Sequence, residues 1–176
     1  MTNKAAIKEV FASIQGEGPF IGYKQLFIRF SGCNLKCDYC DTEHLGEDVK
    51  LYTVEELVQL VNENQDCNSV SLTGGEPLLQ TGFLKEILPQ ASLPVYLETN
   101  ATLAGELGEV IDYIDYVAAD IKLPSCTGGI EMWNNHTRFL DVASPKNYLL
   151  KLYLMKKLQM MKSLNLVNWL QNIILN

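Results

Sequence analysis

An α/β fold is predicted, with a parallel sheet left open or closed into part of a barrel, and two features of the sequence predict it. Short apolar runs recur near residues 7–14, 25–31, 69–73, 94–98, 116–121 and 148–154, with helix-patterned stretches between most of them. Strands alternating with helices pair in parallel, and in such sheets the loops at the C-terminal strand ends carry the chemistry. The second feature is that the chemically distinctive residues directly follow these runs. Cys33, Cys37 and Cys40 follow the second run, Gly74-Gly75-Glu76-Pro77 the third, Glu98 and Asn100 close the fourth, and Asp120 and Lys122 end the fifth. All four groups should therefore converge on one rim.

Composition bounds the function. At 176 residues, 47% hydrophobic and 20% charged, the chain fits one domain with a real core. A net charge of -7 argues against nucleic acid as a partner, because neutralising phosphates needs clustered Lys and Arg. No basic segment followed by an apolar one opens the sequence. The charge-free run 163–176 is shorter than a membrane span and is broken by Asn and Gln. Five cysteines, three of them crowded together, suit reduced thiols, so a cytoplasmic protein away from membranes is expected.

Taken in order, residues 7–14 alternate as a strand that the Gln15-Gly16-Glu17-Gly18-Pro19 run breaks. A surface turn would explain that loop, although its amide and carboxylate could also meet a ligand. In the second strand Arg29 is the single charge among Leu26, Phe27, Ile28 and Phe30, so it needs an anionic partner, either a ligand or a protein carboxylate. Thr53 and Glu56 form a capping-box pattern ahead of a helix whose apolar face is Val54, Leu57, Val58 and Val61. Further helices are expected after Leu78, around Leu107 to Ile114 with Gly105 and Gly108 weakening the start, and over 131–142. In the last of these, Trp133, Phe139 and Leu140 are expected as core contacts. Residues 1–145 form the body. The segment 146–176 holds five Lys and no Asp, Glu, Gly or Pro, and is expected as a strand and helix packed on that body.

The spacing C-x3-C-x2-C of Cys33, Cys37 and Cys40 leaves three readings open. Three thiolates can ligate three irons of a four-iron, four-sulfur (4Fe-4S) cluster and leave the fourth iron open. With His44 they would make a Cys3His zinc site. On a helix they would share one face and could simply be buried. Convergence on one rim favours the first, since a structural zinc site does not require it.

Together these motifs resemble the radical S-adenosylmethionine (SAM) superfamily, marked by C-x3-C-x2-C with an aromatic, here Tyr39, before the last cysteine, and by a Gly-Gly-Glu-Pro run. The stretches FASIQGEGPFIGYKQLFIRFSGCNLKCDYCDT, SLTGGEPLLQ, YLETNAT and DIKLPS resemble the 7-carboxy-7-deazaguanine synthase family within it. The resemblance implies a partial (β/α) TIM-like barrel of radical SAM type, with Cys33, Cys37 and Cys40 on the cluster. It places Gly74, Gly75, Glu76, Glu98, Asp120 and Lys122 around S-adenosylmethionine, and Gln15, Glu17 and Arg29 on a carboxylated pterin, with Arg29 facing its carboxylate. Thr42 would ligate Mg2+. The implied reaction turns 6-carboxy-5,6,7,8-tetrahydropterin into 7-carboxy-7-deazaguanine with loss of ammonia, in queuosine biosynthesis, by a homodimer fed electrons by a flavodoxin-type donor. A glycyl-radical-enzyme activase shares the cysteine spacing, and a non-catalytic zinc or binding protein is the reading from another class. Two departures stand out: Ala101 where relatives usually carry Gly, and a final segment unlike the family's longer C-terminal region.

Overall fold

A computed structural model of the chain describes residues 3–40 and 48–152, with side chains as far as residue 146. The strands are β1 (Lys4–Ile14), β2 (Lys24–Phe30), β3 (Lys50–Thr53), β4 (Ser69–Gly74), β5 (Val95–Thr99), β6 (Tyr116–Ile121) and β7 (Asn147–Leu152). They form one open sheet in the order β3-β1-β2-β4-β5-β6-β7, parallel from β2 onward. The wholly parallel sheet expected from the sequence is corrected at one edge, where β1 runs antiparallel to both β2 and β3. Only residues 15–23 separate β1 from β2, too few for the crossover that a parallel pair needs.

The helices are α1 (Val54–Glu63), α2 (Thr81–Ile87), α3 (Ala104–Gly108) and α4 (Trp133–Ala143). The capping box forms as read: Thr53 Oγ1 accepts from Glu56 N, and Glu56 Oε2 accepts from Thr53 N. The helix expected to run to Ile114 stops at Gly108 and resumes as a 3-10 turn at Ile111–Tyr113, as two glycines in one short turn would cause. In α4, Phe139 and Leu140 are core residues and Trp133 packs against the core.

Period-two alternation gives the sheet two unlike faces. Leu26, Ile28, Phe30, Val70, Leu72, Val95, Leu97, Val117, Ala119 and Ile121 are buried in the core with Leu57, Leu84, Leu107 and Phe139 from the four helices. Truncating one such leucine to alanine costs about 2–5 kcal/mol. By register the opposite face carries Gln25, Phe27 and Arg29 on β2, Ser69, Ser71 and Thr73 on β4, Tyr96 and Glu98 on β5, and Ala118 and Asp120 on β6. Among the described residues no helix is long and apolar enough to cross a membrane.

Candidate active site

The cysteine loop begins where β2 ends. Gly32, at φ 87, turns the chain into Cys33. Beside it β4 closes on Gly74, at φ 110, where a Cβ would stand 2.6 Å from Phe30 N and would also strike the Phe30 carbonyl. Glycine alone permits this approach. It lets Gly75 N donate to Phe30 O (2.9 Å) and Glu76 N to Gly32 O (2.8 Å), so the Gly-Gly-Glu turn is bonded to the root of the cysteine loop.

Glu76 itself points inward. It is fully buried, and its carboxylate accepts from Leu78 N (3.1 Å), Thr99 Oγ1 (2.9 Å) and Asn100 N (2.8 Å). Burial pushes its pKa from 4.5 up to about 7, against the pull of those donors. The carboxylate thus braces the end of β5 against the end of β4.

Beyond β5 the turn is fixed by a closed ring. Asn100 Nδ2 donates to Asn34 Oδ1 (2.8 Å), Asn34 Nδ2 to Thr102 Oγ1 (2.9 Å), and Thr102 Oγ1 to Asn100 Oδ1 (2.6 Å). The same Asn100 amide reaches Cys33 Sγ at 3.8 Å, and Leu35 N donates to that sulfur at 3.4 Å. Between Asn100 and Thr102, Ala101 adopts φ 56, the left-handed conformation that glycine takes without strain. Its carbonyl meets Nδ1 of buried His136 at 2.9 Å.

The end of β6 holds the other flank. Asp38 N donates to Cys126 O (2.9 Å), while Lys122 Nζ donates to Tyr39 OH (3.0 Å) and to Asp120 Oδ2 (2.7 Å). Burial would lower the Lys122 pKa, but Asp120 and the Tyr39 hydroxyl hold the ammonium charged and raise it. The rim predicted from the sequence is therefore present: the cysteine loop is bonded to the ends of β4, β5 and β6.

Two of the substrate candidates, Gln15 and Arg29, meet the polar face of the sheet. Gln15 is buried, and its Nε2 donates to Gln25 Oε1 (3.0 Å) and Glu98 Oε1 (3.1 Å). Gln25 Nε2 continues the chain to Ser69 Oγ (2.8 Å), and Ser71 and Thr73 hydroxyls donate to Glu98. Glu17 is exposed, its backbone N–H donating to Gln15 Oε1. Arg29 has found a protein carboxylate: its Nε lies 2.8 Å from Glu9 Oε1 across the β1–β2 pair, though off the N–H direction, so the contact is ionic and not a hydrogen bond. Thr42 and His44 lie outside the described residues. Gln25, Ser71, Thr73, Asn34 and Thr102 were missed from the sequence. Ser69, Ser71 and Thr73 break the apolar run of β4 at every second residue, and Gln25 and Arg29 flank Phe27 on the same face of β2; that patterning was the available signal for the first three.

The donor set suits an iron-sulfur cluster. Cys33, Cys37 and Cys40 form no disulfide, are half-buried or exposed, and are strung along an open loop; among the described residues no three His, Cys, Asp or Glu side chains enclose a metal site. Burial raises the Cys33 and Cys37 pKa values and so disfavours the free thiolates, while the two N–H donors pointed at the Cys33 sulfur act in the opposite sense, as they would on a thiolate ligand.

Residues 27–160 match a sequence model described as the Radical SAM superfamily, and the chain belongs to that superfamily. Within it, the chain falls among the 7-carboxy-7-deazaguanine synthases. It is 40% identical to the protein of that name from Geobacter sulfurreducens, over 84% of this chain and 69% of the relative, and 48% identical to that from Hyperthermus butylicus, over 78% and 59%. The chain thus spans from about half to just over two thirds of the length of the relatives it matches. Its fold resembles QueE from Escherichia coli at TM-score 0.53 and 16% identity, over 96% of this chain and 91% of the other. It also resembles methylornithine synthase (PylB) at TM-score 0.52 and 16% identity, over 73% and 43%.

Proposed function

We propose that the chain performs the reaction its relatives' name denotes, forming 7-carboxy-7-deazaguanine from 6-carboxy-5,6,7,8-tetrahydropterin with loss of ammonia. The observation that carries this reading is the bonding of one three-cysteine loop to three successive strand ends, over a sheet face of buried polar groups. Cys33, Cys37 and Cys40 would hold the 4Fe-4S cluster. When bound, cluster and S-adenosylmethionine supply one-electron reductive cleavage and removal of a hydrogen atom from the substrate.

The chain's own residues bind and orient. Gly74 and Gly75 let backbone approach the cofactor, and Glu76 acts from beneath by holding the Asn100 turn. The Lys122–Asp120 pair presents a fixed cation beside Tyr39, and Glu98, aligned by Gln15, Ser71 and Thr73, borders both cofactor and substrate. Gln15 and Glu17 would read the pterin ring, and Arg29 would exchange part of its ionic contact with Glu9 for the substrate carboxylate. Mg2+ on Thr42, a homodimer, a flavodoxin-type donor and a cytoplasmic setting belong to the proposal through the resemblance alone.

Anaerobic incubation with dithionite, S-adenosylmethionine, Mg2+ and the pterin tests it, with products read by mass spectrometry. Both 5'-deoxyadenosine and 7-carboxy-7-deazaguanine are expected. The nucleoside without the deazapurine would overturn the substrate and keep the class; neither product from a chain with an intact cluster would overturn both.

A further inference from the structure

The carboxamide of Asn100 is held in one orientation. Thr102 N can only donate, and it donates to Asn100 Oδ1 at 3.2 Å, so that atom is the oxygen and Nδ2 faces the cysteine loop. Thr102 Oγ1 bonds the same oxygen at 2.6 Å, and the Asn34 carbonyl takes one N–H of Nδ2 at 2.8 Å. The other N–H is directed to Cys33 Sγ, 3.8 Å away. The Asn100 backbone is separately fixed, its N–H on the buried Glu76 carboxylate. Side chains from two loops are thus closed into a ring whose outcome is one oriented donor on one sulfur.

We infer that Asn100 is a positioning residue that sets the reduction potential of a cluster held by Cys33, with Asn34 and Thr102 fixing its aim. An N–H aimed at a ligand sulfur draws negative charge from it and favours the form carrying the extra electron. The electron comes from the one-electron reductant, and no bond is made or broken in the protein. The inference rests on the radical SAM reading of the three cysteines.

The test is an EPR-monitored dithionite titration of the reconstituted full chain, wild type against Asn100→Asp. The aspartate keeps the oxygen that Thr102 bonds and replaces the donor with a negative acceptor. Iron and sulfide content should match wild type, while the reduction equilibrium weakens about tenfold, a fall of about 59 mV for one electron. Asn34→Ala, at an exposed position, should move the potential the same way by less, and it carries the test if the aspartate variant does not fold. Equal potentials in wild type and the folded variants would overturn this inference and leave the proposed function standing. A wild-type chain that assembles no cluster would overturn both.

Discussion

Gly74 shows how a single hydrogen atom in place of a methyl group decides the site. Its φ of 110 is closed to other residues, and the space a Cβ would fill is occupied by backbone of Phe30, which cannot swing aside as a flexible side chain would. Backbone strain of about 1–3 kcal/mol adds to overpacking of about 1–3 kcal/mol. Gly74→Ala is therefore expected to lose about 2–6 kcal/mol in urea unfolding and to retain iron poorly, because the displaced segment is the root of the cysteine loop. Gly16→Ala, with nothing within 4 Å of its Cβ, should stay within about 0.5 kcal/mol of wild type. Ala101 is a balanced case: left-handed strain of about 1–2 kcal/mol is offset by a buried methyl worth about 0.8 kcal/mol, so the departure from glycine is tolerated. Arg29 should separate binding from stability. Its pair with Glu9 is partly exposed and worth at most about 1 kcal/mol, yet Arg29→Ala should raise the pterin KM by about tenfold or more, the value of one charge-assisted contact. S-adenosylmethionine binding should stay within about twofold of wild type, read by equilibrium dialysis; an equal loss of both would assign the residue to the fold.

Among the elements, β1 and β2 with the loop between them govern the polar face. From that loop Phe20 packs edge-on against Tyr96 at 5.3 Å and Tyr116 at 4.5 Å, while Gln15 reaches in beside it to Glu98. Each aromatic pair contributes about 0.5–1.5 kcal/mol, so Phe20→Ala should cost about 1–3 kcal/mol by urea unfolding and speed limited proteolysis between Ile14 and Lys24. Unchanged cleavage there would mean that Gln15 alone holds the loop. Strands β2, β4, β5 and β6 were legible in the sequence because each is a compact apolar run closely followed by Gly, Asn or a charge, and α1 because its capping box is a local code. β3 was not, since Lys50–Thr53 is four residues long and its pairing to β1 is set by a distant strand. The antiparallel β1–β2 pair was marked by its short 15–23 connection, a signal that the strand–helix alternation of the rest of the chain overrode. At the site, the cysteines and the glycine turn were legible as motifs, whereas the inward aim of Glu76 and the Asn34–Asn100–Thr102 ring exist only once three loops meet. Arg29 was read correctly as needing an anion, but Glu9 on the neighbouring strand can be recognised only when the register is known.

For the molecule as a whole, the central question is what a buried carboxylate under the active rim does to stability. In the unfolded chain Glu76 ionises near 4.5; in the fold it keeps its proton to about 7. The folded state therefore binds more protons across that window. The contribution of Glu76 to stability is complete below 4.5 and is lost as the pH rises through about 7, about 3 kcal/mol at about 1.4 kcal/mol per unit. His136 acts in the opposite sense. Burial lowers its pKa below 6.5, so its contribution is present above 6.5 and is lost as the pH falls. The two partly cancel in the wild-type curve, and Glu76→Gln separates them because the amide has nearly the same shape and no proton to lose. The variant will be less stable at every pH, since one buried acceptor becomes a donor facing donors. The informative quantity is the wild-type minus variant unfolding energy of the ligand-free chain, which should fall by about 3 kcal/mol between pH 4.5 and 8. A difference independent of pH would mean that the N–H groups of Leu78 and Asn100 and the Thr99 hydroxyl outweigh desolvation. Glu76 would then be a buried anion at every working pH, and the β4–β5 brace would rest on a charge instead of a proton.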